Sequence, residues 1–193
     1  MKLNLIIVGV GGQGALTTAA ILARAALKSN INVITAETHG MAQRGGSVEV
    51  HVRFGDVLSP LIPLCSADVM IALEPSEALR YSNYLNENTV VILNSRPIIP
   101  PSVTAGRATY PELETIEKEL KKITDKIYVV DASKIAESLG AVQATNVVVI
   151  GMLAKLVSLP VSYQTIEEAL REVLPEKLHE LNLKALNAGY NAV

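Results

Sequence analysis

One cysteine, Cys65, stands in the whole chain, tryptophan is absent, and one phenylalanine and six tyrosines are the only aromatics. A single cysteine excludes an internal disulfide. It also excludes a four-cysteine iron–sulfur or zinc site built by this chain alone. The three histidines, His39, His51 and His179, have no metal-binding spacing, so no metal site is expected. Excess charge is lacking too: the net charge is −2, and no basic surface points to nucleic acid. No apolar run reaches membrane-spanning length, since the longest helical one, residues 147–159, is interrupted by Lys155. Met1-Lys2 leads straight into a strand, with no cleavable leader pattern. The expectation is a soluble cytoplasmic protein whose residues 1–193 form one domain.

What is there is aliphatic. Apolar residues make up 49% of the chain. A core of Ile, Val, Leu and Ala suits a parallel sheet covered by helices on both faces. Strands are expected at residues 3–8, 32–36, 48–54, 68–73, 89–93 and 126–130, and helices at 15–29, 76–85, 112–124, 131–139, 145–156 and from 163 onward. Residues 95–111 carry four prolines and read as an extended connection. The alternation of strands and helices predicts an α/β fold: a Rossmann-like open, mostly parallel sheet, helices on both faces, and a helical C-terminal third. Residues 48–54 alternate strictly between apolar and polar after a short connection, which favours an antiparallel or edge strand and makes an exposed edge there a candidate interface.

Two segments carry the functional signal. Gly9-Val10-Gly11-Gly12-Gln13-Gly14 follows a strand and opens a helix, fitting G-x-G-x-x-G. Backbone N–H groups and the helix dipole at such a turn favour an anion, while the same glycines also allow close helix–strand packing. The second segment, Glu37-Thr38-His39-Gly40-Met41-Ala42-Gln43-Arg44-Gly45-Gly46-Ser47, replaces the helix expected after a second Rossmann strand. It groups an imidazole, a carboxamide and a guanidinium (His39, Gln43, Arg44) among glycines, at a strand end where open α/β sheets bind ligands. Arg44 has the fork to hold a carboxylate or phosphate, or else pairs with Glu37 or Glu49 and orders the turn. Gly45 and Gly46 permit close approach of a backbone or a ligand.

Other residues read as less specific. Glu37, about 20 residues past the glycine turn, has the position of a ribose-binding acid in a nicotinamide enzyme, but no Rossmann helix follows it. His51 and His179 read as solvated or structural, and Cys65 as a packed thiol lacking a basic partner. Glu74, Asn94 and Asp131 end successive strands, pointing to the same edge as the glycine turn, and each also suits a helix cap. Asn146 is open between the two roles.

The glycine turn together with the His39-Gly40-Met41-Ala42-Gln43-Arg44-Gly45-Gly46-Ser47-Val48 run resembles the gamma-type subunits of 2-oxoacid:ferredoxin oxidoreductases, and most of all those of the indolepyruvate-oxidising kind. The resemblance spans the chain, with less distinctive sequence toward the C terminus. It implies coenzyme A-dependent oxidative decarboxylation of a 2-oxoacid, an aryl pyruvate, to acyl-CoA, carbon dioxide and reduced ferredoxin. It further implies thiamine diphosphate and iron–sulfur clusters on a larger partner subunit, because this chain lacks both a thiamine-binding motif and cluster cysteines. The isolated chain is then inactive, and a homodimer or heterotetramer is the expected assembly. Under this resemblance His39, Gln43 and Arg44 are the candidate catalytic residues. Gly9, Gly11, Gly12, Gln13, Gly14, Gly45 and Gly46 are the candidate phosphate or partner contacts. Two further readings stand beside it: a stand-alone nucleotide-dependent dehydrogenase, and an architectural subunit that touches no ligand.

Overall fold

The computed structural model describes residues 2–39 and 45–193, with the backbone alone at His39. Among these residues six strands form one sheet in the order β2-β3-β1-β4-β5-β6. Strand β1 (Leu3–Val10) is almost wholly buried and leads through the glycine turn into α1 (Ala15–Lys28). Strands β2 (Val33–His39) and β3 (Ser47–Phe54) follow, then β4 (Val69–Ala72) and α2 (Pro75–Arg80). After β5 (Val90–Asn94) come a short α3 (Pro101–Thr104), α4 (Leu113–Leu120), β6 (Ile127–Val130) and α5 (Ala132–Ser138). Helices α6 (Thr145–Leu156), α7 (Tyr163–Val173) and α8 (His179–Tyr190) complete the chain.

Strands β1, β4, β5 and β6 run parallel, and β3 is antiparallel to both of its neighbours, β1 and β2. The antiparallel expectation for residues 48–54 therefore holds, while the exposed-edge idea fails. Strand β3 is paired on both sides, and the sheet's edges are β2 and β6. Strand β3 lies beside β1, where its alternate residues Val48, Val50, Val52 and Phe54 meet the buried side of α1.

Period-two alternation divides the core into two layers. Leu5 and Ile7 of β1, Ile71 of β4 and Ile92 of β5 pack beneath α1, α5 and α6, with α7 and α8 behind. Ile6, Val8, Met70, Ala72, Val91 and Leu93 face the opposite way, onto α2 and α4. Helix α6 is buried nearly all round because it lies between the sheet and α8.

Several boundaries moved. Strand β1 runs two residues further than expected and takes Gly9 into the sheet, since the ladder with β3 continues to Val10↔Ser47. Helix α2 is capped by Glu74, whose carboxylate accepts from Glu77 N at 3.1 Å, and Ser76 instead donates to that carboxylate. That helix stops at Arg80 and gives way to a 3₁₀ turn over Ser82–Tyr84. The proline-rich connection contains α3, which Pro101 begins from the first helical turn, where its missing N–H is harmless. Ser162 and Asp131 cap α7 and α5 through bonds to Thr165 N and Lys134 N, as helix-start residues should.

Candidate functional site at the carboxyl end of the sheet

The two sequence signals meet through backbone. Gly11 N–H donates to Gly46 O at 2.8 Å, and Gly45 N–H reaches back to Gly11 O at 3.4 Å. These bonds carry the β1–β3 ladder one step beyond Val10↔Ser47, so the glycine turn and the exit of the His39–Gly46 segment are parts of one structure. At its other end, His39 closes β2 opposite Val48. Gln43 and Arg44, with Gly40 to Ala42, lie outside the described residues.

Within the turn, Gln13 points inward. Its Oε1 accepts from Val10 N at 2.7 Å, and its Nε2 donates to Leu73 O at 2.8 Å, tying the end of β1 to the end of β4. Gly9 has no room for a side chain, because a Cβ would press on Gln13 Oε1 and Leu73 Cβ. Gly14 caps α1 at φ +84°, and Asn146 Nδ2 donates to its carbonyl at 3.3 Å. A Cβ on Gly14 would meet Asn146 Nδ2 at 2.8 Å. Gly12, at φ +104°, has open space around it instead.

That space is a pair of cavities that share Gly12 and Gln143. One, of about 390 Å³, lies between Gly14, Asn146 and the Leu178–Asn182 end of α8. The other, of about 250 Å³, is walled by Arg96, Ser133 and Thr145. The N-terminal ends of α1 and α6 both border this space, and helix N-termini carry partial positive charge. Arg96 binds Glu137 and lies 3.5 Å from Asp131. The hydrogen bond to Glu137 holds the guanidinium above its usual range and Glu137 below the usual carboxylate range. Chemically, the surroundings of Gly12 suit an anionic group with an apolar neighbour, the latter supplied by Leu174, Leu178 and Leu181.

The remaining candidates scatter. Glu37 is exposed on the edge strand, and because β3 separates β2 from β1 it stands one strand further from the glycine turn than a ribose-binding acid would. Asn94 is buried and structural, with Nδ2 bonded to Leu73 O at 3.0 Å and Ser133 Oγ at 3.2 Å. Glu74 is buried too, gathering Ser76, Glu77 N, Ile98 N and the Tyr110 hydroxyl on one carboxylate. Burial first, and Glu74 second, push the Tyr110 hydroxyl well above its ordinary range. His51 is fully buried: Ile62 N–H donates to Nδ1, Nε2 meets Glu49 at 2.6 Å, and its ring packs edge-on to Tyr84. His179 bonds Leu174 O at the start of α8 and is structural. Cys65 is exposed, which corrects the packed-thiol expectation. It sits at φ +55° in a surface loop whose apolar neighbours, Leu61 and Leu64, also face solvent.

Arg96, Ser133, Gln143 and Asn182 escaped sequence reasoning. For Arg96 a signal existed, namely a cation two residues past a strand that ends at the edge where open α/β sheets bind ligands. Gln143 and Asn182 gave none, being polar residues of helical segments brought to the turn by tertiary packing. Among the described residues no group of three His, Cys, Asp or Glu side chains is placed to hold a metal ion, and no helix is long and apolar enough to cross a membrane.

Comparison with known proteins agrees with this architecture. The family described as pyruvate ferredoxin/flavodoxin oxidoreductase matches residues 4–192. Indolepyruvate oxidoreductase subunit IorB of Archaeoglobus fulgidus is 64% identical over 191 residues, covering 99% of this chain and 95% of that protein. The protein of the same name from Pyrococcus horikoshii is 45% identical over 191 residues, with 98% and 95% covered. A crystal structure of the gamma subunit of a keto/oxoacid ferredoxin oxidoreductase from Geobacter sulfurreducens shares the fold at TM-score 0.69 and 22% identity, over 97% of this chain and 96% of that one. The chain belongs to the pyruvate ferredoxin/flavodoxin oxidoreductase family, as a subunit of an oxidoreductase.

Proposed function

We propose that this chain is the small subunit of an indolepyruvate-type 2-oxoacid:ferredoxin oxidoreductase, and that its glycine turn and adjoining loop close the active site of a larger subunit for coenzyme A-dependent oxidative decarboxylation. The products are acyl-CoA, carbon dioxide and reduced ferredoxin. The observation that carries the reading is the backbone junction of Gly11 with Gly45 and Gly46, which makes one element of the turn and the loop exit at the ligand-binding edge of the sheet. The IorB relatives support the aryl pyruvate assignment through their name.

With one cysteine and no thiamine-binding motif, the chain's residues do not fit thiamine diphosphate or an iron–sulfur cluster, and both are assigned to the larger subunit. Thiamine diphosphate there supplies the electron sink for decarboxylation, and the clusters carry electrons to ferredoxin. This chain's own part is binding and exclusion of water. Arg44 engages the 2-oxoacid carboxylate or a coenzyme A phosphate, while His39 and Gln43 orient polar groups. The open space at Gly12, between two helix N-termini, fits a phosphate.

Arg44→Ala in the reconstituted complex tests the reading. A charged hydrogen bond contributes roughly 1.5–3 kcal/mol, so the KM for the oxoacid or for coenzyme A should rise about tenfold or more. An unchanged KM for both removes Arg44 from the site. One observation favours an architectural role instead: Gln13 spends both ends of its amide on the backbone at the ends of β1 and β4, which holds the turn's shape without a ligand. Loss of complex assembly on altering the loop, with substrate affinity intact in whatever complex remains, would establish that role.

A further inference from the structure

Among the described residues strand β2 is an open edge, and it has few of the features that keep edges apart. Its seven residues, Val33-Ile34-Thr35-Ala36-Glu37-Thr38-His39, contain no Pro, no Lys and one carboxylate. The opposite edge, β6, has only four residues and is blunted by its shortness.

The direction of the free backbone groups follows from the register. Gly55 N–H donates to Asn32 O at 2.7 Å, which makes Asn32 and Gly55 a hydrogen-bonded pair. Antiparallel pairs alternate, so Ile34, Ala36 and Thr38 spend their N–H and C=O groups on Arg53, His51 and Glu49. Val33, Thr35, Glu37 and His39 turn theirs outward. Among the described residues, no partner engages the outward groups of Val33, Thr35 and Glu37.

Beside this edge runs an apolar stripe on α1. Leu16 is 45% exposed, Ala20 is exposed and Ala23 is half-buried, and together with Thr35, Ala36, Glu37 and Val50 they line a groove of about 330 Å³. Unpaired strand and apolar stripe thus lie on one side of the molecule.

We infer that a second copy of this chain occupies the β2 edge, joining the two sheets antiparallel about a twofold axis at Ala36. The strand is self-complementary in this register. Val33 pairs with His39 of the second copy and Thr35 with its Glu37, so each outward group finds a partner and no carboxylate faces another. A twofold axis through the sheet keeps both α1 helices on the same face. Leu16 of one copy then lies over the small Ala23 of the other, with Ala20 near the axis, and each groove is filled by its counterpart. The contact is isologous and closes, leaving no further edge of its kind. Strand and helix are each about 20 Å long, giving a footprint of several hundred Å² per copy, on the order of a standard interface.

The test is disulfide trapping in the assembled complex, in a Cys65→Ser background. Across a non-hydrogen-bonded antiparallel pair the Cα atoms are about 4.5 Å apart, within disulfide reach. Ala36→Cys should therefore link most of the chain to itself under mild oxidation. Thr38→Cys, two positions from the axis, should stay unlinked. In parallel, Thr35→Pro removes an outward N–H without breaking the β2–β3 ladder. It should weaken self-association of the isolated chain at least tenfold in sedimentation, with its far-ultraviolet circular dichroism unchanged. An intact complex that forms no self-link at position 36 overturns the proposal. So does a Thr35→Pro chain that self-associates as before. Loss of the larger subunit from the Thr35→Pro complex, with no self-link at 36, would assign the edge to that subunit and equally overturn it.

Discussion

Gln13 and Tyr84 show what single side chains contribute here. Replacing Gln13 with Ala leaves Val10 N–H unpaired at the end of β1, while Leu73 C=O keeps its bond from Asn94 Nδ2. An unsatisfied buried group costs about 1–3 kcal/mol, and urea unfolding of Gln13→Ala should show a loss of that size with an unchanged m-value. Tyr84 is held by burial and by its hydrogen bond to Glu49, which together push its hydroxyl up to about 12 from the ordinary 10.0. A raised folded pKa favours the protonated form. Its stabilisation is complete below pH 10 and is lost as pH rises toward 12. Alkaline unfolding should therefore be steep in that interval and flatter for Tyr84→Phe, which has no proton to lose. At this scale the sequence was legible for residues whose role is local, such as the caps Asp131 and Ser162. It was not legible for Cys65 or His51, whose exposure and burial depend on what packs above them.

Helices α6 and α8 cross at two glycines, where the two backbones meet directly. A Cβ on Gly151 would land on the Leu186 carbonyl oxygen, and one on Gly189 on the Val148 carbonyl oxygen. Overpacking commonly costs 1–3 kcal/mol, and because backbone atoms must move, Gly151→Ala or Gly189→Ala should reach about 3 kcal/mol or more. Chemical denaturation of either single variant checks this. A further loss in the double variant smaller than the sum of the singles would confirm that the two glycines serve one crossing. The helical C-terminal third was readable from its apolar periodicity, and α6 matched its expected range at both ends. The pairing of α6 with α8 was not readable, because it is written in two glycines 38 positions apart (189 − 151) that carry no pattern of their own.

As a whole, the molecule brings helix N-termini, the glycine turn and Arg96 to one edge of a sheet, and the proposed function assigns the redox groups to the larger subunit. The purified chain should therefore reduce no ferredoxin when given a 2-oxoacid and coenzyme A. Activity should appear only when the larger subunit is restored, as followed by ferredoxin reduction under anaerobic conditions. Turnover by the chain alone would contradict the proposed function. A nucleotide-dependent dehydrogenase acting alone is disfavoured by the sheet order itself: β3 lies between β1 and β2, so Glu37 is displaced from the glycine turn by a whole strand.

By itself the sequence determined the alternating α/β architecture, the glycine turn at the end of β1, the caps of several helices and the family resemblance. Each of these is a short-range matter of periodicity, special backbone conformations or contiguous motifs. Tertiary structure alone decided that β3 is interior and β2 the open edge, that Gly45 and Gly46 extend the β1–β3 ladder onto Gly11, and that Arg96, Gln143 and Asn182 surround Gly12. The physical reason is that strand neighbours and cavity walls are chosen by burial between segments far apart in the chain. Hydrophobic burial has no direction along the sequence, and it leaves no local mark on the polar residues it carries to a site.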